Sequence, residues 1–268
     1  MIRLSAVDLS IAAGLIVILA ILTVRMQLGM TRSLLVASAR TTVQLLLLGL
    51  VLREVFAQQR LVWIGLMALV MLLAAGREVM ARQERRLGGW WGFGVGTTSM
   101  FLSSFAVALL ALLAMVGPTP WYDPQYAIPL LGMLLGNTMN GIALALDRLT
   151  DSTWEQREMI EQRLMLGSTR GEAIGTIRRA SIRSGMIPIV NAMAAAGIVS
   201  LPGMMTGQIL AGAPPMEAVK YQILIMFLIA SGSGFGTVAA VALASRRLFD
   251  DRHRLRLDRL RGGRVTSG

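Results

Sequence analysis

Residues 6–24 read AVDLSIAAGLIVILAILTV, an apolar run whose single charged residue, Asp8, lies near its start. A bilayer core is crossed by about 20 mostly apolar helical residues, so this run reads as a membrane helix. It lacks a basic start followed by a small-residue cleavage site, and Arg25 and Arg32 follow it. It therefore reads as a retained signal anchor, with Asp8 either interfacial or an ionisable group on a proton path.

Six further runs follow the same rule: Thr41–Phe56, Leu61–Gly76, Gly94–Val116, Tyr126–Leu146, Ile187–Gly212 and Tyr221–Ser245. The expected fold is all-α, a polytopic membrane protein with about seven transmembrane helices. Composition agrees. The 268 residues are 54% hydrophobic and 15% charged, against about 25% charged for soluble domains. Residues 1–245 form the expected transmembrane domain, which includes a polar segment at 147–185; residues 246–268 form a basic tail.

The charges set an orientation. Arg25, Arg32, Arg77, Arg82, Arg85 and Arg86 fall on one side of the expected spans, together with every Arg from Arg148 to Arg183 and from Arg246 to Arg264. Arg3, Arg53, Arg60 and Lys220 fall on the other, and Arg40 at a membrane edge, where snorkelling accounts for it. This predicts an outside N-terminus and a cytoplasmic C-terminus. The net charge of +11 is then a matter of topology, and no nucleic acid is expected as a partner. Trp90, Trp91, Trp121 and Tyr122 sit at span edges, the headgroup level.

Several chemistries are excluded. There is no cysteine, and the single histidine is His253. Lys220, the only lysine, stands between Val219 and Tyr221, so the Gly-Lys-Ser/Thr of a phosphate-binding loop is missing. No cofactor is expected on this chain, and any ATP is expected to be used by a partner. A catalytic constellation is likewise missing.

The polar segment 147–185 reads DRLTDSTWEQREMIEQRLMLGSTRGEAIGTIRRASIRSG. Its charges are interleaved, and Ile160, Leu164 and Met165, then Ile174 and Ile177, recur at helical spacing. One or two short amphipathic helices joined near Gly167-Ser168-Thr169 are expected. Such helices lie on anionic lipid or dock a cytoplasmic protein. The tail after Arg246, with Leu248, Leu255, Leu257 and Leu260 among its arginines, reads first as a lipid-binding strip and second as a partner contact.

Inside the spans, Pro202-Gly203 is expected to break or kink the sixth helix, and Pro129, Gly132, Gly136 and Gly141 to interrupt the fifth. Broken membrane helices offer backbone groups to a substrate. The pairs Gly132/Gly136, Gly203/Gly207 and Gly232/Gly236 also fit close helix contacts. Asn137 and Asn140 share a helix face, and Asn191 and Gln208 lie in the sixth span. Interhelical hydrogen bonding and a polar path for a cation both fit these amides. Met133, Met139, Met204 and Met205 flank them; thioethers suit soft ions such as Cu(I), though Met is also a flexible packer. The sequence names no metal ligand set.

Glu161 through Gly167 resembles the coupling loop of ABC importers, in which a Glu is followed six residues later by Gly; the usual Ile-x-Leu-Pro does not follow here. A longer resemblance rests on Ala39-Arg40-Thr41-Thr42-Val43-Gln44-Leu45 with Gly49, on Gly136-Asn137-Thr138-Met139-Asn140-Gly141, on the stretch from Gly197 through Pro202-Gly203-Met204-Met205 and Gln208 to Gly212, and on Ala218-Val219-Lys220-Tyr221-Gln222. In this order and spacing the chain resembles the FetB family of bacterial iron-export permeases, with plant relatives tied to aluminium tolerance. The resemblance implies a permease of the bacterial inner membrane, paired with a soluble FetA-like ATPase and exporting iron or a related metal ion. Coupling is then expected at Glu161, Arg163, Leu164, Gly167, Ser168 and Arg170. The candidate path is Asn137, Asn140, Asn191, Pro202, Gly203, Met204, Met205 and Gln208. Two copies are expected to form one pathway, in contact with membrane lipids. An ion-coupled secondary transporter and a membrane adaptor that recruits a cytoplasmic protein are the alternatives.

Overall fold

The computed structural model describes residues 5–58 and 60–262. Arg3 and Arg264, counted in the charge distribution, lie outside these. The chain forms two compact units, residues 1–60 and 61–268.

The first unit is a helix pair, α1 (Ala6–Arg25) and α2 (Thr31–Gln58). Ser5 caps α1, and its hydroxyl and backbone exchange hydrogen bonds with Asp8. Asp8 thus belongs to a capping box at the helix start. The Thr23 and Thr31 hydroxyls meet at 2.9 Å where α1 gives way to α2. Arg40 lies well inside α2, because the helix begins ten residues before the expected span.

The second unit opens with α3 (Leu61–Ala81) and a short strand β1 (Arg85–Leu87). Helix α4 follows over Trp90–Val116 and passes through π-helical turns at Phe101–Phe105 and Ala111–Val116. Next come α5 (Pro124–Glu155), α6 (Arg157–Met165), α7 (Arg170–Ala173), α8 (Gly175–Ala195), α9 (Gly203–Leu210) and α10 (Pro215–Arg247). Asp123 caps α5, and Pro124 and Pro215 stand at first helical positions, where their missing N–H costs nothing.

Helix α5 is the centre of this unit, packed against α3, α8 and α10. Small residues let the backbones approach. A Cβ at Gly185 of α8 would lie 2.5 Å from the Gly141 carbonyl oxygen and 2.8 Å from both Ala145 Cβ and Thr237 Cγ2. A Cβ at Gly236 would meet Thr138 Cγ2 at 2.6 Å and Ser103 Oγ at 2.7 Å, so Gly232/Gly236 is a packing face, as its spacing suggests. Gly203 and Gly207 face open space, so that pair makes no such contact within the chain. The Ser104 hydroxyl donates to Thr138 Oγ1 at 3.3 Å in the buried core.

Among the described residues, six helices are long and apolar enough to cross a membrane: α1 to α5 and α10. The expected sixth span, Ile187–Gly212, is divided. Helix α8 ends at Ala195, Ala196 is extended, Gly197 has φ +82°, and the chain turns through 197–200 with Ala196 bridged to Ser200. The break thus falls ahead of Pro202-Gly203, which starts α9 instead. Proline at a helix start sacrifices no hydrogen bond, whereas the left-handed turn at Gly197 ends the preceding helix. Pro129 does not interrupt α5, because it removes only one hydrogen bond close to the start of a long helix.

The tail folds back onto the body. Phe249 bridges Leu255, and strand β2 (Leu260–Gly262) pairs antiparallel with β1, Arg86 opposite Arg261. The Arg259 guanidinium donates to the carbonyls of Arg247 at 2.8 Å and Phe249 at 3.1 Å.

Candidate functional site

At the Arg-rich end of the second unit, α6 and α7 form a hairpin between α5 and α8. Its base is apolar: Ile160, Ala173, Ile174 and Ile177 are buried. Its turn is Leu166-Gly167-Ser168. Gly167 has φ +91°, a conformation that costs other residues strain, and Ser168 N donates back to the Arg163 carbonyl at 3.0 Å. A capping box then starts α7. The Thr169 amide and hydroxyl both donate to Glu172 Oε2 at 2.8 Å, and Glu172 N donates to Thr169 Oγ1. These bonds, the backbone one first, hold the Glu172 carboxyl below its ordinary value. At the tip, Met165 is 80% and Leu166 86% exposed.

The residues singled out for coupling sit on this hairpin. Glu161 is exposed on α6, and Arg163 reaches across the hairpin to the Ala173 carbonyl at 3.4 Å. Leu164 and Ser168 are half-buried beside the turn. The Arg170 amide donates to His253 Nδ1 at 3.4 Å, which ties the tail to the hairpin. Below it, the Trp154 ring is flanked by the guanidiniums of Arg85 at 4.4 Å and Arg157 at 5.7 Å. Arg85 also meets Asp151 at 3.5 Å, and its carbonyl accepts from Thr150 Oγ1 at 2.8 Å. The grouping of Arg85 with Thr150 and Trp154 was not legible in the sequence because Arg85 lies in a separate segment from the other two.

The candidate path residues fall into separate groups. Asn137 and Asn140 are exposed along one side of α5. The Asn137 amide donates to the Met133 carbonyl of its own helix at 2.8 Å. Asn140 Oδ1 accepts from Arg82 Nη1 at 2.6 Å, and both residues line a cavity of about 280 Å³ with Asp147 and Pro188. Asn191 is exposed on α8. Pro202 and Met205 line a larger cavity, about 540 Å³, where the end of α8 meets α9 and the start of α10; Met193, Gln222, Met226 and Phe227 complete its wall. Gly203, Met204 and Gln208 are on α9, and Gln208 Oε1 is buried without a hydrogen-bond partner among the described residues. The structure thus brings Pro202 and Met205 together and leaves the asparagines elsewhere. Sequence reasoning missed Arg82, Met193, Gln222 and Met226. The signal for the last two was their i, i+4 spacing on α10.

Long apolar helices packed through glycines, with polar structure gathered at one end, define a polytopic helical membrane protein. The chain belongs to the family described as "Uncharacterised protein family (UPF0014)", which matches residues 6–249. It is 42% identical over 234 residues to the UPF0014 membrane protein slr1647 of Synechocystis, covering 85% of this chain and 87% of that protein. It is 30% identical over 260 residues to the probable iron export permease protein FetB of Escherichia coli, covering 95% and 96%. Protein ALUMINUM SENSITIVE 3 of Arabidopsis thaliana is 30% identical over 247 residues, covering 91% and 88%. No solved structure matches the chain.

Proposed function

We propose that the chain is the permease subunit of an ABC-type transporter that exports iron or a related metal ion, driven by a separate FetA-like ATPase, with two permease copies forming the pathway. The observation that carries this reading is the α6–α7 hairpin. It presents Met165 and Leu166 to solvent on a base fixed by Ile160, Ala173 and Ile174. Exposed apolar residues on a rigid support fit insertion into a partner's groove. Glu161, Arg163 and Arg170 lie beside them, so the contact is amphipathic, as expected of a soluble partner.

The hairpin leads directly into α8, a lever of 21 residues and so about 30 Å long. A push at the tip is carried along α8 to the divided segment at Gly197–Pro202. There, α9 turns on short connections, and its displacement re-forms the wall of the larger cavity. Alternating access needs such a rigid transmitter and a deformable gate. The metal itself is taken from the printed name of the Escherichia coli relative, which is similar over nearly the whole chain.

The test is reconstitution. The permease is placed in proteoliposomes with and without a candidate FetA-like ATPase, and ATP-dependent movement of Fe(II) is measured beside Mn(II), Zn(II) and Cu(I). Flux that needs both chains and ATP supports the reading. Full flux from the permease alone, driven by an ion gradient, overturns it.

A further inference from the structure

Three methionines from three helices line the 540 Å³ cavity at the end remote from the hairpin. Met193 comes from the last turn of α8, Met205 from the first turn of α9 and Met226 from the second half-dozen residues of α10. Met205 is there because Pro202 starts α9; its first turn then aims inward, and Met205 is only 7% exposed. Gln222 stands one turn before Met226 on the same face of α10. Its side chain is 8% exposed, and Oε1 is buried with no hydrogen-bond partner among the described residues. That oxygen is closed off by its neighbours, so the donors the cavity presents are the thioethers.

The donor set says what such a cavity takes. Thioethers are neutral, polarizable ligands that select soft cations; hard divalent ions want several oxygens and keep their water. Neutral ligands in an apolar wall also favour a single positive charge over a double one, since the cost of desolvation rises with charge. We infer that Met193, Met205 and Met226 form a binding site for a soft monovalent cation of the Cu(I) or Ag(I) class. The inference goes beyond the ATP-driven export reading and does not depend on it, because binding is a property of the permease alone. Methionine packing without a ligand is the competing account, and it predicts no metal affinity.

The full chain, with any affinity tag removed, is placed in lipid nanodiscs and titrated with Ag(I). Bound metal is counted by mass spectrometry and its neighbours are read by X-ray absorption. The expected result is one tightly held Ag(I) per chain with sulfur in its first shell. Loss of an outer-shell partner alone weakens metal sites by roughly 10–100-fold, so the M193L/M205L/M226L variant is expected to weaken binding at least that much. Met and Leu have similar volumes, which keeps the cavity walls in place. Met226→Leu alone, which removes one ligand, weakens binding about tenfold or more and tests the site without the triple change. Met30→Leu, at an exposed methionine elsewhere, leaves the affinity unchanged. Wild-type affinity in the triple variant, a shell of oxygen or nitrogen only, or a lipid retained in the cavity with no tight Ag(I) site overturns the inference.

Discussion

The two ends of the helical unit after Leu61 are held by different forces. At the Arg-rich end, chain segments far apart in sequence are tied by directional contacts: β1 to β2, Arg85 to Trp154 and Asp151, Arg259 to two carbonyls, and Arg170 to His253. At the other end, α8 stops, the chain turns, α9 is only eight residues long, and the amide oxygens of Gln208 and Gln222 have no hydrogen-bond partner among the described residues. Directional bonds fix one geometry, whereas a short helix flanked by loops and apolar contacts can shift with little loss. The difference teaches a division of labour: the tied end presents a defined surface, and the looser end is where shape can change. Between them, the glycine contacts of α5, α8 and α10 join the two without slack.

That joint is where the comparison is most easily broken. Gly185→Val places a branched side chain where even a Cβ lies 2.5 Å from a backbone oxygen. The helices must part, at a cost of roughly 3 kcal/mol or more, the upper range for overpacking. The expected outcome is loss of the folded protein in thermal unfolding and size-exclusion measurements, whereas Gly207→Ala, into open space, shifts stability by less than about 0.5 kcal/mol. Equal tolerance at both positions breaks the account of the joint. Next in size is the hairpin tip. M165E/L166E puts charge on residues that already face solvent, so the fold is unchanged, while association with the proposed ATPase partner falls by about 2 kcal/mol or more, the scale of a contact hot spot. Pull-down of the ATPase and its stimulated hydrolysis read this out. Unchanged association moves the docking surface elsewhere.

Much of this organisation is legible in the sequence. The apolar runs carry the membrane class, because about 20 such residues have no other economical place. The hairpin is legible in part, since interleaved charges and the spacing of Ile160, Leu164, Ile174 and Ile177 predict one or two short helices joined near Gly167. What stayed hidden depends on contacts between distant residues. Strands of three residues at 85–87 and 260–262 carry no alternation strong enough to announce a pairing. Pro202 drew attention as a breaker, yet its place at a helix start made Gly197 the point of rupture. The methionines of the larger cavity stand far apart in sequence, so only the packing of α8, α9 and α10 puts Met193 beside Met226. Among the candidate path residues, helical spacing gave Asn137 and Asn140 a common side, but not that Arg82 holds Asn140.

Smaller effects sharpen the tied end. Arg85 joins three partners there, the Trp154 face, Asp151 and the Thr150 hydroxyl that meets its carbonyl. Arg85→Ala removes the first two and leaves the carbonyl in place. The stacked guanidinium contributes about 0.5–2 kcal/mol at a partly covered site. Faster amide exchange is expected at residues 150–158 and in the tail after Phe249, with little change near α9. An equal rise at both ends means the ends are not held separately.

The finest test lies in the capping box that starts α7. Thr169→Ala deletes the hydroxyl that accepts from Glu172 N and donates to Glu172 Oε2, and the loss of such a cap costs about 1 kcal/mol. The effect is local, so amide exchange at residues 168–174 quickens while exchange in α10 does not. The same box has a pH signature. Because its hydrogen bonds depress the Glu172 carboxyl below 4.5, the folded hairpin binds fewer protons there than the unfolded chain. Its contribution is therefore complete above pH 4.5 and is lost as the pH falls through the lower, folded value. Protection of residues 168–174 should hold constant from neutral pH down to 4.5 and decline below it. The T169A variant, with one of the two stabilising bonds gone, should lose less in total and complete its decline nearer 4.5. A hairpin that loosens between pH 7 and 5 is governed by a group other than Glu172.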